Sequence, residues 1–129
     1  MKEKQRILLV DDDQDMQRLL NSTLQLEGFD TVIVADSDAA LNLMERIRPD
    51  LVILDEMPDG VDRLLAVDQI REQSDVPIIV LTQEYEMESL RRTLSRGADD
   101  YIRKPFGTKS FVARVRAKLR RAGPKTARI

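Results

Sequence analysis

Short apolar runs alternate along this chain with stretches whose apolar residues recur every three or four positions. The runs are RILLV (6–10), DTVIVA (30–35), DLVIL (50–54), PIIVL (77–81) and the shorter DYIR (100–103). They are rich in β-branched residues and nearly unbroken in apolar character, which predicts strands covered on both faces. Between them the pattern is helical. Met16, Leu19, Leu20 and Leu24 share one face, and Gly28 supplies a stop. Ser37 reads as an N-cap, with Leu41, Met44 and Ile47 following before Pro49. Leu64, Val67 and Ile70 mark a third helix, Leu90 and Leu94 a fourth closed by Gly97, and Phe111, Val115 and Leu119 a fifth.

Five strands alternating with five helices predict an α/β fold with a parallel sheet. Right-handed crossovers then place helices on both faces. In such a fold, functional residues lie beyond the carboxyl ends of the strands, near the switch in strand order. After Leu119 the periodicity fades in RRAGPKTARI. The expected organisation is therefore one domain over residues 1–121 and a linker or trimmed tail over 122–129.

Composition narrows the chemistry. The 129 residues suffice for one domain with a real core, and 42% hydrophobic with 34% charged residues is ordinary for a globular protein. A net charge of −2 favours no acidic or basic partner for the whole surface. Cysteine is absent, which suits a reducing cytoplasm and excludes disulfides and thiolate metal sites. Histidine is absent too, so Ser-His-Asp and Cys-His nucleophiles and imidazole ligands are excluded. The longest apolar runs are four residues, against roughly 20 for a membrane span. The basic start MKEKQR runs through a short apolar stretch into three aspartates, which is not a signal peptide.

Chemistry-bearing residues collect where the strands end. Asp11, Asp12 and Asp13 follow the first strand, Asp55 the third, Thr82 the fourth, and Lys104–Pro105 the fifth. Acids after strands frequently cap helices, and Asp13 fits that reading as well as a chemical one. Asp11, Asp12 and Asp55 together are expected to converge. Two carboxylates about 5 Å apart repel by roughly 3 kcal/mol at an effective dielectric near 20. Raised pKa values or a hard cation with oxygen ligands, magnesium above all, would offset that repulsion. With Lys104 as a fixed charge and Thr82 as a hydroxyl donor, the set suits phosphoryl transfer to an aspartate.

The motifs ILLVDDD, PDLVILDEMP, PIIVLT and GADDYIRKPF resemble, in order and spacing, the receiver domain of two-component response regulators. The likeness covers residues 6 to about 121, and GADDYIRKPF followed by ARVRAKLRR is most similar to the OmpR/PhoB-like subfamily. The resemblance implies a flavodoxin-like (βα)5 fold, strand order 2-1-3-4-5. It implies that Asp55 accepts a phosphoryl group from a sensor histidine kinase, and that Mg2+ or Mn2+ is held by Asp11, Asp12, Asp55 and the Met57 carbonyl. Lys104 would pair with a phosphoryl oxygen, and Thr82 and Tyr101 would form the switch. Arg92, Asp99, Asp100, Arg114 and Arg116 match a dimer face on the fourth helix, fifth strand and fifth helix. DNA would be reached only through a C-terminal output domain absent from this chain.

The chain departs from the family pattern around Asp55. Proline stands three residues after the acceptor instead of four, so Asp59 takes the usual proline position and Arg63 the usual glycine position. Pro58 biases Met57 toward extended backbone, and Arg63 lacks glycine's access to positive φ. Gln83 stands where a small residue usually follows the threonine, and Glu84 where family members tune the phosphoryl lifetime. Ser110 replaces an acid, removing one expected bridge to Arg92, although an exposed pair contributes only about 0.2–1 kcal/mol. Two other functions fit parts of the sequence. A degenerate receiver would act as a phosphorylation-independent binding module, which the altered loop and Gln83 favour and the complete acceptor set opposes. An aspartate-nucleophile phosphatase of the haloacid-dehalogenase type would use Asp11 and Asp13, but the chain lacks room for a cap.

Overall fold

A computed structural model describes residues 4–55 and 63–123. Strands and helices alternate strictly: β1 (Arg6–Val10), α1 (Gln14–Leu26), β2 (Asp30–Val34), α2 (Ser37–Ile47), β3 (Leu51–Asp55), α3 (Arg63–Gln73), β4 (Ile78–Thr82), α4 (Met87–Ser95), β5 (Asp100–Arg103) and α5 (Thr108–Ala122). All strand pairs are parallel, in the order β2-β1-β3-β4-β5. This is the doubly wound order expected from the sequence. Glu56, Met57, Pro58, Asp59 and Asp62, the Met57 carbonyl with them, lie outside the described residues, as does the tail from residue 124.

The unbroken apolar runs are explained by two cores on opposite faces of the sheet. Ile7, Leu9, Leu51, Ile53, Ile79 and Leu81 pack with Leu20 and Leu24 of α1 and Phe111, Val115 and Leu119 of α5. Leu8, Val10, Val52, Leu54, Ile78 and Val80 point the other way, onto Ala40 and Met44 of α2 and Ala66, Val67 and Ile70 of α3. Successive strand residues face opposite sides, so a strand sandwiched between helix layers is apolar at every position.

Several details differ from the sequence reading. Asp36, not Ser37, caps α2, its carboxylate accepting from Ala39 N at 2.8 Å. Ser37 is instead a buried first-turn residue. Leu19 and Leu94 are 45% and 38% exposed, because each lies at the edge of its helix's apolar stripe rather than at its centre. The third and fourth strands run one residue further than expected, so Asp55 and Thr82 are their last strand residues. Register therefore aims both side chains, with Asp55 beside Leu81 and Thr82 beside Arg103.

One arginine ties the far edge together. Arg71 donates to the carbonyls of Gly97 (3.0 Å), Ser74 (3.3 Å) and Val76, and pairs with Asp99 at 2.8 Å. Asp99 also accepts from Ile78 N at 2.7 Å. Gly97, at φ +123, closes α4 directly against this side chain, and an added Cβ would sit 2.9 Å from Arg71 Cγ. Gly97→Ala is expected to lose about 1–3 kcal/mol through the left-handed backbone and the displaced arginine. A urea midpoint equal to that of the unchanged protein would contradict this.

Candidate functional site

The carboxyl ends of β1, β3, β4 and β5 form one edge, and the site is built there. Asp11 follows β1 directly. Its N–H donates to Val34 O at 3.0 Å, and its Oδ1 accepts from Asp13 N at 2.9 Å. Its carbonyl accepts from Gln17 Nε2. Asp13 caps α1, with Oδ1 accepting from Asp15 N at 3.1 Å, so capping is the reading the geometry realises. Asp55 ends β3 with only 3% of its surface exposed and is ion-paired with Lys104. Lys104 follows β5, and its N–H donates to Thr82 O at 2.8 Å. Its bond to Pro105 is cis.

Asp11 Oδ2 is a buried oxygen with no hydrogen-bond partner among the described residues. Burial, and then the adjoining Asp55 carboxylate, push the Asp11 carboxyl up to about 7, against the opposing effects of the Asp13 N–H and Lys104. Two buried acids thus share one lysine, leaving negative charge that is offset by a proton or by a cation. Carboxylate oxygens with one lone pair set unclaimed are the donor chemistry of a hard divalent ion, so the residues present fit magnesium or manganese. Asp12 is exposed. Among the described residues no three His, Cys, Asp or Glu side chains gather to hold a metal. The expected convergence of three acids is therefore met for Asp11 and Asp55. The third charge turns to water, as repulsion from the buried pair favours.

Thr82 is fully buried, and its Oγ1 accepts from Glu84 N at 2.9 Å. Glu84 then folds its carboxylate back onto the N–H groups of Tyr85 (3.0 Å) and Glu86 (2.8 Å), the residues entering α4. Tyr85 OH donates to Lys104 O at 3.4 Å, and Arg103 lies 5.5 Å from its ring centre. Tyr101 is half-buried against the α2–α3 core, and Gln83 is exposed at the rim. Neither the Glu84 lacing nor the Gln17 amide was legible beforehand, since a glutamate in a loop and a glutamine in a helix read as solvated by default.

The five residues matched to a dimer face lie on or beside α4, β5 and α5. Arg92 is exposed on α4, and Arg114 pairs with Asp100 at 3.5 Å while donating to Tyr101 O at 2.7 Å. Asp100, Arg103, Phe106, Ser110 and Arg114 line an open groove beside β5. Asp99 is instead claimed by Arg71 and by the Ile78 N–H. Arg116 lies on the α1 side of α5, bonded to Glu27 (2.9 Å) and placed over the Phe29 ring. Asp99 and Arg116 thus have partners within the chain, as Asp100 and Arg114 also do.

A doubly wound domain with a buried acid–lysine pair and a hydroxyl at its switch-point edge is thus defined. Its sequence matches the response regulator receiver domain over residues 7–116, and the chain belongs to that family, as a receiver domain of a two-component response regulator. It is 46% identical over 118 residues to the DNA-binding response regulator MtrA of Mycobacterium tuberculosis, covering 92% of this chain and 52% of that protein. The chain spans about half the length of the curated relatives it matches. A two-component response regulator from Clostridium difficile superposes with a TM-score of 0.87 at 27% identity, over 94% of this chain and 100% of the other. The BeF3-activated N-terminal receiver domain of RstA from Klebsiella pneumoniae gives 0.83 at 33% identity, over 89% and 98%. No helix among the described residues is long and apolar enough to cross a membrane.

The Asp11 carboxyl, raised above its ordinary 3.8, keeps in the folded state a proton that the unfolded chain releases. Its contribution is full below about pH 4 and is lost as pH rises through 7. The metal-free protein should therefore lose up to a few kcal/mol between pH 5 and 8, and Asp11→Asn should remove that part. Equal shifts in urea midpoint for the two proteins would contradict the assignment.

Proposed function

We propose that Asp55 is the phosphoacceptor of a His-to-Asp phosphorelay and that this chain is a phosphorylation-dependent signalling switch. The observation that carries the reading is the buried Asp55 carboxylate, held by Lys104 beside Asp11 Oδ2, a buried oxygen with no hydrogen-bond partner among the described residues. An oxygen of Asp55 attacks phosphorus, the bond from phosphorus to the donor's imidazole nitrogen breaks, and the imidazole leaves. This chain has no histidine, so the donor is a sensor histidine kinase or a small acyl phosphate. Lys104 moves from the carboxylate to a phosphoryl oxygen. Asp11, Asp12, Asp55 and the Met57 carbonyl would hold Mg2+ or Mn2+, which neutralises charge on the transferring group. The reaction modifies the protein itself, in keeping with a signalling rather than a catalytic domain.

A new charge of about −1.5 to −2 then sits beside Thr82. The Thr82 hydroxyl accepts from Glu84 N, and a hydroxyl can also donate, so it would turn its proton toward a phosphoryl oxygen. Its movement vacates space for Tyr101 to turn inward, and the α4–β5–α5 face responds. Arg92, Asp100 and Arg114 remain on that face to meet a second copy. The DNA-binding relatives, about twice as long, support transcription control through an output domain beyond these residues, in the cytoplasm. A phosphorylation-independent binding module is not favoured, because the acceptor, lysine and hydroxyl stand together at one edge.

Incubation with Mg2+ and acetyl phosphate, followed by intact mass measurement, tests this. The expected result is one added phosphoryl group, absent in Asp55→Asn and reduced at least tenfold in rate in Lys104→Ala. No addition with any donor would overturn the reading. In light scattering, the same preparations should shift from monomer toward dimer on phosphorylation. Monomers in both states at high concentration would overturn the dimer.

A further inference from the structure

We infer that Gln17 is a positioning residue for the divalent cation, acting through the peptide that joins Asp11 to Asp12. The inference rests on the reading above, in which those two acids hold the metal. Gln17 stands in the second turn of α1, and its side-chain amide reaches back to donate to the Asp11 carbonyl. That oxygen belongs to the Asp11–Asp12 peptide. A peptide is planar, so fixing its carbonyl fixes its N–H and the direction in which the next Cα leaves. Holding this one atom therefore sets how the two acidic side chains stand relative to each other.

The other anchors of Asp11 do not hold this carbonyl itself. Its N–H is held by Val34 O, which places the residue in line with β1. Its Oδ1 is held by Asp13 N, which aims the carboxylate and leaves Oδ2 unclaimed. The second bond closes a turn that spans the Asp11–Asp12 peptide and restrains it, but neither bond engages that peptide's own carbonyl. The strand ladder ends at Val10, so no neighbouring strand satisfies the Asp11 carbonyl. The Gln17 backbone is itself fixed, its N–H donating to Asp13 O at 2.9 Å as the first turn of the helix closes. The amide thus reaches Asp11 from a rigid base, and the acid loop is clamped at both of its ends.

Partners that orient metal ligands without touching the metal commonly change affinity by about 10–100-fold when removed. The probe is Mg2+ alone, titrated calorimetrically into the full chain. Gln17→Met keeps the length and helix preference of the side chain and removes the donor. The expected result is Mg2+ affinity at least tenfold weaker, with the urea midpoint of the metal-free protein lowered only modestly, as one lost hydrogen bond to a buried carbonyl requires. The Asp11 carbonyl 13C resonance should move as its hydrogen bond is lost. Gln14→Met, on the exposed first turn, should bind within about twofold of the unchanged protein. Affinity of Gln17→Met within twofold of the unchanged protein overturns the inference, whatever its stability. An Mg2+ affinity lost in proportion to a lowered midpoint, with the Asp11 carbonyl resonance in place, also overturns it. Failure of the unchanged protein to bind Mg2+ overturns the underlying reading, and this inference with it.

Discussion

Two buried carboxylates under a single lysine are the constraint from which the rest of this structure follows. Asp11 and Asp55 come from strands adjacent in the sheet, and Lys104 comes from the loop after an edge strand two places away. The parallel sheet brings these three strand ends to one edge, and the 2-1-3-4-5 order seats β1 beside β3 while the connecting helices cover both faces. The acids would not sit together unaided, and the Asp11 carboxyl is raised by burial first and by Asp55 second. The same unfavourable charge makes the edge receptive to a cation and to phosphoryl chemistry. Stability is given up locally and recovered in the two apolar cores behind the site.

The surroundings of the site divide into a part that is braced and a part that can respond. Bracing lies at the far end of α4, where Arg71 joins α3 to Gly97 and to Asp99, and Arg96 pairs with Asp68 at 3.1 Å. It continues along α5, where Arg116 is fixed to Glu27 and Phe29. At its near end α4 has no side-chain cap at Glu86, and only Leu90 and Thr93 are buried along its length. That end is linked to Thr82 through the backbone and carboxylate of Glu84. In the proposed switch, a rotation of the Thr82 hydroxyl would be felt first at the start of α4, whose last turn is tied to α3.

The strands and the polar residues at their ends were legible because each rests on a strong local signal, whereas the strand order came from the family resemblance. A strand buried on both faces must be apolar throughout, and a polar residue at its end announces the sheet edge. Asp55, Thr82 and Lys104 were found that way. What escaped depends on three-dimensional competition for the same charge. Asp99 and Arg116 read as surface charges, and only the fold shows that Arg71 and Glu27 reach them first. Asp12 reads as a twin of Asp11, yet alternation at the strand end sends one inward and the other to water. Gln17 carries no sequence signal, and Glu84 only a family position, since their work is done on backbone atoms.

The central claim, that the paired carboxylate of Asp55 is the atom group that takes the phosphoryl, is tested most directly by mapping the modification. After phosphorylation in Mg2+, borohydride reduces an aspartyl phosphate to homoserine, which peptide sequencing locates. The account predicts homoserine at residue 55 and nowhere else. Homoserine at position 11, 12 or 13 with Asp55 intact would contradict it.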